Sequence, residues 1–174
     1  GDWSRSEQFC LMDYPVRELR GMTLGIVGYG ELGRGVEKLA KAFGMQVLVA
    51  QRPGGRPVAG RVPLDQLLAR ADVVSLHVPL AENTRHLIDA RRLALMLPHA
   101  LLINTARGAV VDNAALAQAL RDGVIGGAAL DVLDTEPPPI DHPLLAADVP
   151  NLMLTPHTAW AGRGARQNVV DQTV

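Results

Sequence analysis

The sequence has little cysteine: one residue, Cys10, among 174. A lone cysteine cannot form an internal disulfide, and it offers no cluster of thiolates for zinc. A disulfide-stapled scaffold is therefore excluded. A reducing compartment is favoured, so we expect a cytoplasmic protein without a metal site.

Charge of one sign and long hydrophobic runs are also lacking. The 17 lysine and arginine residues are matched by 18 acidic ones, so no positive field would attract nucleic acid or an anionic membrane. A membrane-spanning helix needs roughly 18 or more apolar residues in a row, and no run approaches that length. The N-terminus lacks the basic and then apolar order of a signal peptide. We expect neither a nucleic-acid nor a membrane partner.

Short apolar runs alternate with helical patterns along most of the chain. Strands are predicted at 23–28, 45–50, 72–78, 100–106, 126–132 and 151–155. Helices are predicted at 31–43, 64–70, 89–97 and 113–121. The strand segments are nearly continuous in Val, Leu, Ile and Ala, as expected when helices cover both faces of a parallel sheet. The pattern predicts an α/β fold with a Rossmann-like, doubly wound parallel sheet in a three-layer αβα arrangement.

The same pattern of strands and helices predicts three segments in the chain. Residues 1–20 show little periodicity and are predicted to form an arm or linker with scattered aromatic side chains at Trp3, Phe9 and Tyr14. Residues 21–160 carry the strand and helix alternation and form the predicted dinucleotide-binding domain. Residues 161–174 begin a further helical pattern.

The motif GYGELG follows the first strand and precedes an amphipathic helix. In a dinucleotide fold, Gly28 would permit the tight turn, Gly30 would let the backbone approach a pyrophosphate, and Gly33 would let helix and strand pack closely. Gly35, further along, is assigned to close packing. Glycine-rich turns also occur for purely structural reasons, but the position on the first strand favours phosphate binding. The predicted contacts are Gly28, Tyr29, Gly30, Glu31, Leu32 and Gly33.

At the end of the second strand, Gln51 and Arg52 stand where an acidic residue would hold the ribose hydroxyls of NAD. A carboxylate there repels the 2′-phosphate of NADP, whereas an amide beside a guanidinium tolerates or attracts it. The cofactor is expected to be NAD or NADP, with NADP favoured. The alternative is that Arg52 and Arg56 are solvated loop charges and that NAD binds through the other contacts.

Three polar segments follow the later strands: NTARG (104–108), LDVLDTEPP (130–138) and TPHTAW (155–160). The carboxyl ends of parallel strands meet at one edge of a sheet, where ligands bind. We therefore expect this edge to bring together Arg107, Glu136 and His157.

The order of these segments resembles the D-isomer-specific 2-hydroxyacid dehydrogenase family. The runs that carry the resemblance are ELRGMTLGIVGYGELG, HVPL with ENTRHLI, LLINTARGAVVD, GGAALDVLDTEPP and LTPHTAW, which span nearly the whole chain. Trp160 and the GYG form of the loop are most similar to the glycerate dehydrogenase and hydroxypyruvate reductase group. The resemblance implies hydride transfer between NAD(P)H and a small 2-keto or 2-hydroxy acid of the glyoxylate, hydroxypyruvate or glycerate type.

The resemblance also implies roles for the three polar residues. His157 would be the acid and base at the substrate oxygen, a task that suits an imidazole because it titrates close to neutral pH. Glu136 would hydrogen-bond the other ring nitrogen and fix its tautomer. Arg107 would bind the substrate carboxylate through its planar guanidinium.

Further cofactor contacts are implied by the resemblance at Val78, Pro79, Thr84, Thr105, Ala106, Asp131 and His157. For two of them a structural role is an equal alternative: Asp131 could cap a turn at a strand end, and Thr84 could cap the turn at ENTRHLI. We expect Met96 and Met153 to fill the core. The other histidines are expected at loops and strand ends, without carboxylate partners across the crevice: His77, His86, His99 and His142.

In the family, the substrate cleft lies between this domain and a second one, which residues 1–174 do not supply in full. We therefore expect dinucleotide binding with negligible turnover, and a homodimer formed through this domain and its aromatic arm. One alternative is a corepressor-like module that senses dinucleotide without catalysis. Another is an unrelated two-domain dinucleotide enzyme such as a homocysteine-releasing hydrolase, which would need different residues in the crevice.

Overall fold

The computed structural model describes residues 1–13 and 16–173, and these form a six-stranded sheet. The strands are β1 (Thr23–Val27), β2 (Gln46–Val49), β3 (Val73–Leu76), β4 (Leu101–Asn104), β5 (Gly127–Leu130) and β6 (Leu152–Leu154). The spatial order is β2-β1-β3-β4-β5-β6, and every neighbouring pair is parallel. The predicted doubly wound parallel sheet is confirmed, with each strand shorter than its apolar run.

Each predicted helix forms, although two are short. The helices are α1 (Asp2–Arg5), α2 (Glu31–Ala42), α3 (Leu64–Leu68), α4 (Ala90–Leu93), α5 (Asn113–Arg121) and α6 (Arg163–Thr173). Two of them begin at an aspartate cap: the carboxylate of Asp89 accepts from the Arg92 N–H, and that of Asp112 accepts from the Ala115 N–H. Such caps satisfy N–H groups that have no partner within the helix.

The hydrophobic core lies on both sides of the sheet, but unequally. On one side α3, α4 and α5 cover the sheet, and Leu67, Leu93 and Leu116 are fully buried there. On the other side α2 packs against β1, and Ile26 and Ala40 are buried between them. The first of these two clusters is the larger, and its buried side chains hold in place the strands whose ends carry the polar segments.

The α2 side of the sheet is open over β4, β5 and β6. Leu101 is 44% exposed and Met153 is 66% exposed, whereas Met96 is 5% exposed. The core prediction is therefore confirmed for Met96 and wrong for Met153. The reason is that the helices between β3, β4 and β5 all lie on the other side, and the β5–β6 connection contains only a 3₁₀ turn, Pro143–Leu145.

The sheet order places a crevice beside β1, because β1 has β2 on one side and β3 on the other. The chain crosses from β1 to β2 and from β3 to β4, in opposite directions along the sheet, so the loops after β1 and β3 diverge at the carboxyl edge. The terminal helices α1 and α6 bury no side chain. Tyr14, assigned to the arm, lies outside the described residues, and the division into three segments stays a prediction.

Candidate active site

The loops that follow the strands form three neighbouring depressions along the carboxyl edge of the sheet. The glycine-loop cleft has a volume of about 420 Å³ and a lining that includes Gly28, Tyr29, Gly30, Arg52, Arg61 and Thr84. The central groove, of about 510 Å³, has a lining that includes Leu32, His77, Pro79, Thr105, Ala106 and Arg107. The histidine cleft, of about 550 Å³, has a lining that includes Asp131, Leu133, Glu136, Pro138, Thr155 and His157.

The three glycines of the GYGELG turn meet different surroundings. Gly28 has a φ of +96°, and a Cβ added there would lie 2.5 Å from the carbonyl carbon of His77. A Cβ at Gly33 would lie 2.3 Å from the carbonyl oxygen of Gly28. Gly30 has no such neighbour within 4 Å among the described residues. Gly28 and Gly33 therefore allow the protein to pack on itself, while Gly30 leaves open space above the turn.

The N-terminus of α2 opens into that space. Gly30 occupies the cap position without a side-chain cap, and Glu31 and Leu32 in the first turn are exposed. The first N–H groups of a helix have no partner within it and carry a partial positive charge. An open glycine cradle against a free helix N-terminus fits a pyrophosphate. Gly35 also has no neighbour within 4 Å among the described residues, so its assignment to close packing is wrong.

Two guanidinium groups border the glycine-loop cleft. Arg52 is exposed on the loop after β2, and Arg61 lies at the end of that loop with its guanidinium carbon 5.3 Å from the centre of the Tyr29 ring. The Tyr29 hydroxyl in turn donates to Glu37 on α2. Sequence reasoning missed Arg61, although a third arginine in the loop 52–61 was a usable signal.

Gln51 was predicted to contact the cofactor, but its side chain is turned into the loop 52–61 and does not line the cleft. Its side-chain NH₂ donates to the carbonyls of Val58 (3.0 Å) and Arg61 (3.2 Å), and its side-chain oxygen accepts from the Val58 N–H (3.0 Å). The amide therefore holds the ends of the loop together. Among the described residues that line this end of the cleft, the charge comes from Arg52 and Arg61.

Two further polar side chains are engaged by the backbone. The Thr84 hydroxyl donates to the Pro79 carbonyl (2.7 Å) and accepts from the Ala81 N–H (2.7 Å), which favours its turn-forming role. Asn104, missed from the sequence, is buried and bridges the NTARG turn: it accepts from the Ala106 N–H and donates to the Arg107 carbonyl, both at 3.0 Å. This amide fixes the turn that carries Arg107.

His77 lines both the glycine-loop cleft and the central groove. Its Nε2 lies 2.9 Å from the hydroxyl oxygen of Ser75, and burial lowers the pKa of its imidazole. Burial disfavours the charged ring, so His77 is neutral at neutral pH. It therefore brings no positive charge to the point where the two depressions meet. Val78 beside it is buried.

His157 and Glu136 are in direct contact across the histidine cleft, with 2.7 Å between Nδ1 of the imidazole and Oε2 of the carboxylate. A carboxylate only accepts, so Nδ1 carries the proton. The other ring nitrogen, Nε2, has no hydrogen-bond partner within the part of the chain that the structure describes. The side chain is 41% exposed, so Nε2 can reach a small molecule in the cleft.

Glu136 is ionised and held at both oxygens. Burial raises the pKa of its carboxyl, but the hydrogen bonds from His157 and from the Leu133 N–H, with the nearby charge of Arg107, outweigh it and leave the pKa below its usual value. The Leu133 N–H lies 2.8 Å from Oε1. The charge of Arg107 therefore reaches the histidine cleft.

Asp131 shapes the backbone at His157. Its carboxylate accepts from the Thr155 hydroxyl (2.5 Å), the Thr158 N–H (2.9 Å) and the Ala159 N–H (2.8 Å), which supports a turn-capping role. Burial raises the pKa of Asp131, but these three bonds and His157 lower it overall. His157 itself has a φ of +51°, a conformation that costs a non-glycine residue of order 1–3 kcal/mol. The capped turn offsets that strain.

Arg107 lies in the central groove, next to the histidine cleft. Its guanidinium donates to the Ala106 carbonyl (2.6 Å), and its neighbour Gly108 packs directly on the loop of the histidine cleft. A Cβ at Gly108 would lie 1.8 Å from the carbonyl carbon of Leu133. The two loops are therefore in contact, and Arg107 and Glu136 are brought to one part of the edge.

The described residues include no group of three or more His, Cys, Asp or Glu side chains placed to hold a metal. None of the helices in that part of the chain has the length and apolar character needed to cross a bilayer.

Comparison with known proteins connects this edge to a family. Residues 1–159 match the model of the D-isomer specific 2-hydroxyacid dehydrogenase, NAD binding domain. A glycerate dehydrogenase from Methylorubrum extorquens is 51% identical over 174 residues, which are 100% of this chain and 54% of that protein.

Solved structures agree. An acyclic imino acid reductase in complex with NADPH and D-arginine superposes with a TM-score of 0.84 at 32% identity, covering 98% of this chain and 55% of that one. A D-lactate dehydrogenase with NAD⁺ from Lactobacillus jensenii has a TM-score of 0.79 at 32% identity, covering 93% and 53%. This chain thus spans about half the length of these relatives. It belongs to the D-isomer specific 2-hydroxyacid dehydrogenase family, whose NAD-binding domain it matches.

Proposed function

We propose that this chain supplies the dinucleotide site and the acid–base residues of an NAD(P)-dependent oxidoreductase acting on a small 2-keto or 2-hydroxy acid, of the glyoxylate, hydroxypyruvate or glycerate type. The observation that carries the proposal is the contact between His157 and Glu136 on the same sheet edge as the open GYGELG turn. An oriented imidazole beside a nicotinamide is what carbonyl reduction needs.

The proton at the substrate oxygen is assigned to His157. In reduction, Nε2–H donates it to the keto oxygen as that oxygen becomes a hydroxyl, and in oxidation the neutral Nε2 takes it back. When bound, a nicotinamide would supply or accept the hydride. Glu136 holds the proton on Nδ1 and stabilises the imidazolium, while Arg107 binds the substrate carboxylate.

The dinucleotide is assigned to the glycine-loop cleft and the central groove. The first turn of α2 would hold the pyrophosphate, and Arg52 and Arg61 would face the 2′-phosphate of NADP. Val78, Pro79, Thr105 and Ala106 would line the groove toward the nicotinamide. NADP is favoured over NAD because the end of β2 carries no carboxylate.

Titration with NADH and NADPH, followed by reduced-nicotinamide fluorescence, tests the cofactor site. Arg52→Ala should weaken NADPH binding about tenfold while changing NADH binding little, because a charge-assisted bond to phosphate is lost. Arg56→Ala is the matched control, since Arg56 is exposed on the same loop and does not line the cleft. An equal loss for both cofactors with Arg52→Ala would contradict the assignment.

Activity is best tested in a chimaera that joins this chain to the remaining half of the related glycerate dehydrogenase. We expect it to reduce hydroxypyruvate or glyoxylate, and the chain alone to show negligible turnover. His157→Asn should lower kcat by about 10²–10⁴ and change dinucleotide affinity far less, because most of the implied dinucleotide contacts lie elsewhere. A chimaera that binds dinucleotide but reduces neither acid would favour a dinucleotide-sensing module instead.

A cytoplasmic location stays a prediction. We also propose that the chain forms a homodimer. The support is the N-terminal arm, where Phe9 is 91% exposed and Trp3, Met12 and Val16 are exposed as well. Apolar side chains exposed in this number mark interaction surfaces. Light scattering of the unmodified chain should give twice the chain mass, and the mass measured for Phe9→Ser should move toward that of a single chain. A monomer mass for the unmodified chain would remove this proposal.

A further inference from the structure

His142 is a buried histidine whose partner is a carboxylate. Its side chain is 4% exposed, and its Nε2 lies 2.9 Å from Oδ1 of Asp134. The Leu144 N–H points at its Nδ1 from 3.2 Å. Because Nδ1 accepts, the ring is neutral, and its single proton is on Nε2 and is donated to Asp134. The two groups form a fixed, directional link between the turn at Pro143–Leu145 and the loop after β5.

Asp134 stands in the loop that holds the catalytic carboxylate. The backbone of Leu133, the residue before Asp134, contacts two further parts of the site. Its N–H, in the peptide that precedes it, donates to Oε1 of Glu136 at 2.8 Å. The peptide that follows it, between Leu133 and Asp134, meets Gly108, where a Cβ would lie 1.9 Å from the Leu133 oxygen and 2.4 Å from the Asp134 nitrogen. The position of the Leu133 backbone therefore bears on both Glu136 and the Arg107 turn.

We propose that the Asp134–His142 pair positions the backbone at Leu133, and through the Leu133 N–H the Glu136 carboxylate against His157; this rests on the proposed function of Glu136 and His157. Both residues are positioning residues, since neither contacts the reacting atoms. The link is needed because the loop carries Glu136 on an exposed stretch without regular secondary structure, from Asp134 to Pro137. Without the link, the Leu133 N–H and the carboxylate can move together away from Nδ1.

Stability alone does not account for the pair. The Asp134 side chain is 38% exposed, so solvent weakens its end of the bond, although the buried ring N–H of His142 would lose its partner without it. The nearby Asp141 is exposed and makes no side-chain hydrogen bond or ion pair with the described residues, so the loop tolerates an unpaired aspartate. The geometry instead points to a role in holding the loop of Glu136 against the Pro143–Leu145 turn.

The tautomer of His157 reports this role directly. Glu136 keeps the proton on Nδ1, whereas a free imidazole also populates the Nε2–H form. The ratio is measured by the ¹⁵N chemical shifts of the ring, above the pH range where the ring is charged. Asp134→Ala should shift the ratio toward Nε2–H about tenfold, as one charge-assisted bond loosens. Asp134→Asn keeps an acceptor oxygen and should restore most of the original ratio.

Two variants separate the link from general effects. Asp141→Ala removes a carboxylate from the same loop and should leave the tautomer ratio unchanged. His142→Asn can still cap the Pro143–Leu145 turn but is too short to reach Asp134, so it should behave like Asp134→Ala. NADPH affinity should stay within about twofold in every variant, because the glycine-loop cleft is untouched. An unchanged tautomer ratio in Asp134→Ala, with NADPH binding intact, would overturn the positioning role. Failure of the unmodified chain to bind either dinucleotide would instead overturn the proposed function.

Discussion

The glycine-loop cleft and the histidine cleft lie at opposite ends of one sheet edge, and they are built differently. At the glycine-loop end, Gly30 leaves space above the turn and the first residues of α2 are exposed. At the histidine end, the oxygens of Glu136 and Asp131 accept hydrogen bonds from neighbouring loops. The glycine-loop end leaves backbone N–H donors free, whereas the carboxylates of the histidine end are already hydrogen-bonded within the protein.

The difference follows from what each end has to do. A pyrophosphate is bound by N–H groups that are free before it arrives, so the protein must not fill that space itself. A proton donor must be aimed before the substrate arrives, so its orientation is set by contacts within the protein. Substitutions that break the internal contacts of the histidine end should therefore mainly lower the free energy of unfolding. Substitutions at the glycine-loop end should mainly lower dinucleotide affinity.

The largest effect is expected for Gly108→Ala. The new Cβ would lie 1.8 Å from the Leu133 carbonyl carbon, so the NTARG turn and the β5 loop must separate. Overpacking costs about 1–3 kcal/mol of the free energy of unfolding, and we expect the upper end here because the contacted atoms are backbone and cannot rotate away. Urea unfolding of the purified variant measures the loss. A change below about 0.5 kcal/mol would show that the two loops are not pressed together.

Asp131→Asn should have the next largest effect, because the new amide NH₂ meets backbone N–H donors. We expect a loss of about 2 kcal/mol at neutral pH, measured by urea unfolding. The pKa of Asp131 is lowered in the folded state, so its contribution is fully present above the unfolded pKa and is lost as pH falls through the folded one. The difference between variant and parent should shrink on acidification. A difference that grows toward low pH would contradict the capping role.

Gly30→Ala tests the other end of the comparison. Gly30 has a φ of −82° and open space around it, so the added methyl group should leave the unfolding midpoint nearly unchanged. It would occupy the space where a pyrophosphate approaches, and affinity for both dinucleotides should fall about tenfold or more. Fluorescence titration measures this. Unchanged affinity would mean that the phosphates do not pass over this turn.

Much of this edge could be predicted from the sequence, because the required signals are local. Apolar runs identified the strands, and the rule that parallel strands end at one edge brought Glu136 to His157. Gln51 was misjudged because its partners, Val58 and Arg61, depend on how a loop folds back, which no spacing rule describes. The histidines were judged by motif alone, so the pairing of His142 with Asp134 was missed.

Met153 was misjudged for a different reason. Apolar runs predict burial on both faces of a strand, but β6 lies at the edge of the sheet, and its α2 side carries no helix among the described residues. Whether a face is covered depends on the side to which each crossover turns. That information lies in the handedness of the connections and not in the composition of the strand.

The smallest effect is expected for Gly35→Ala, and it separates the glycines of one helix. Gly35 lies within α2, is exposed and has no described neighbour within 4 Å, whereas a Cβ at Gly33 would press on the Gly28 carbonyl. Alanine in a helix interior is favoured over glycine by about 0.5–1 kcal/mol, so the variant should be more stable by that amount in urea unfolding. Dinucleotide affinity should not change, because Gly35 lies a turn away from the cap. A loss of affinity would extend the binding surface along α2, and a loss of stability would mean that something packs on this helix in the folded protein.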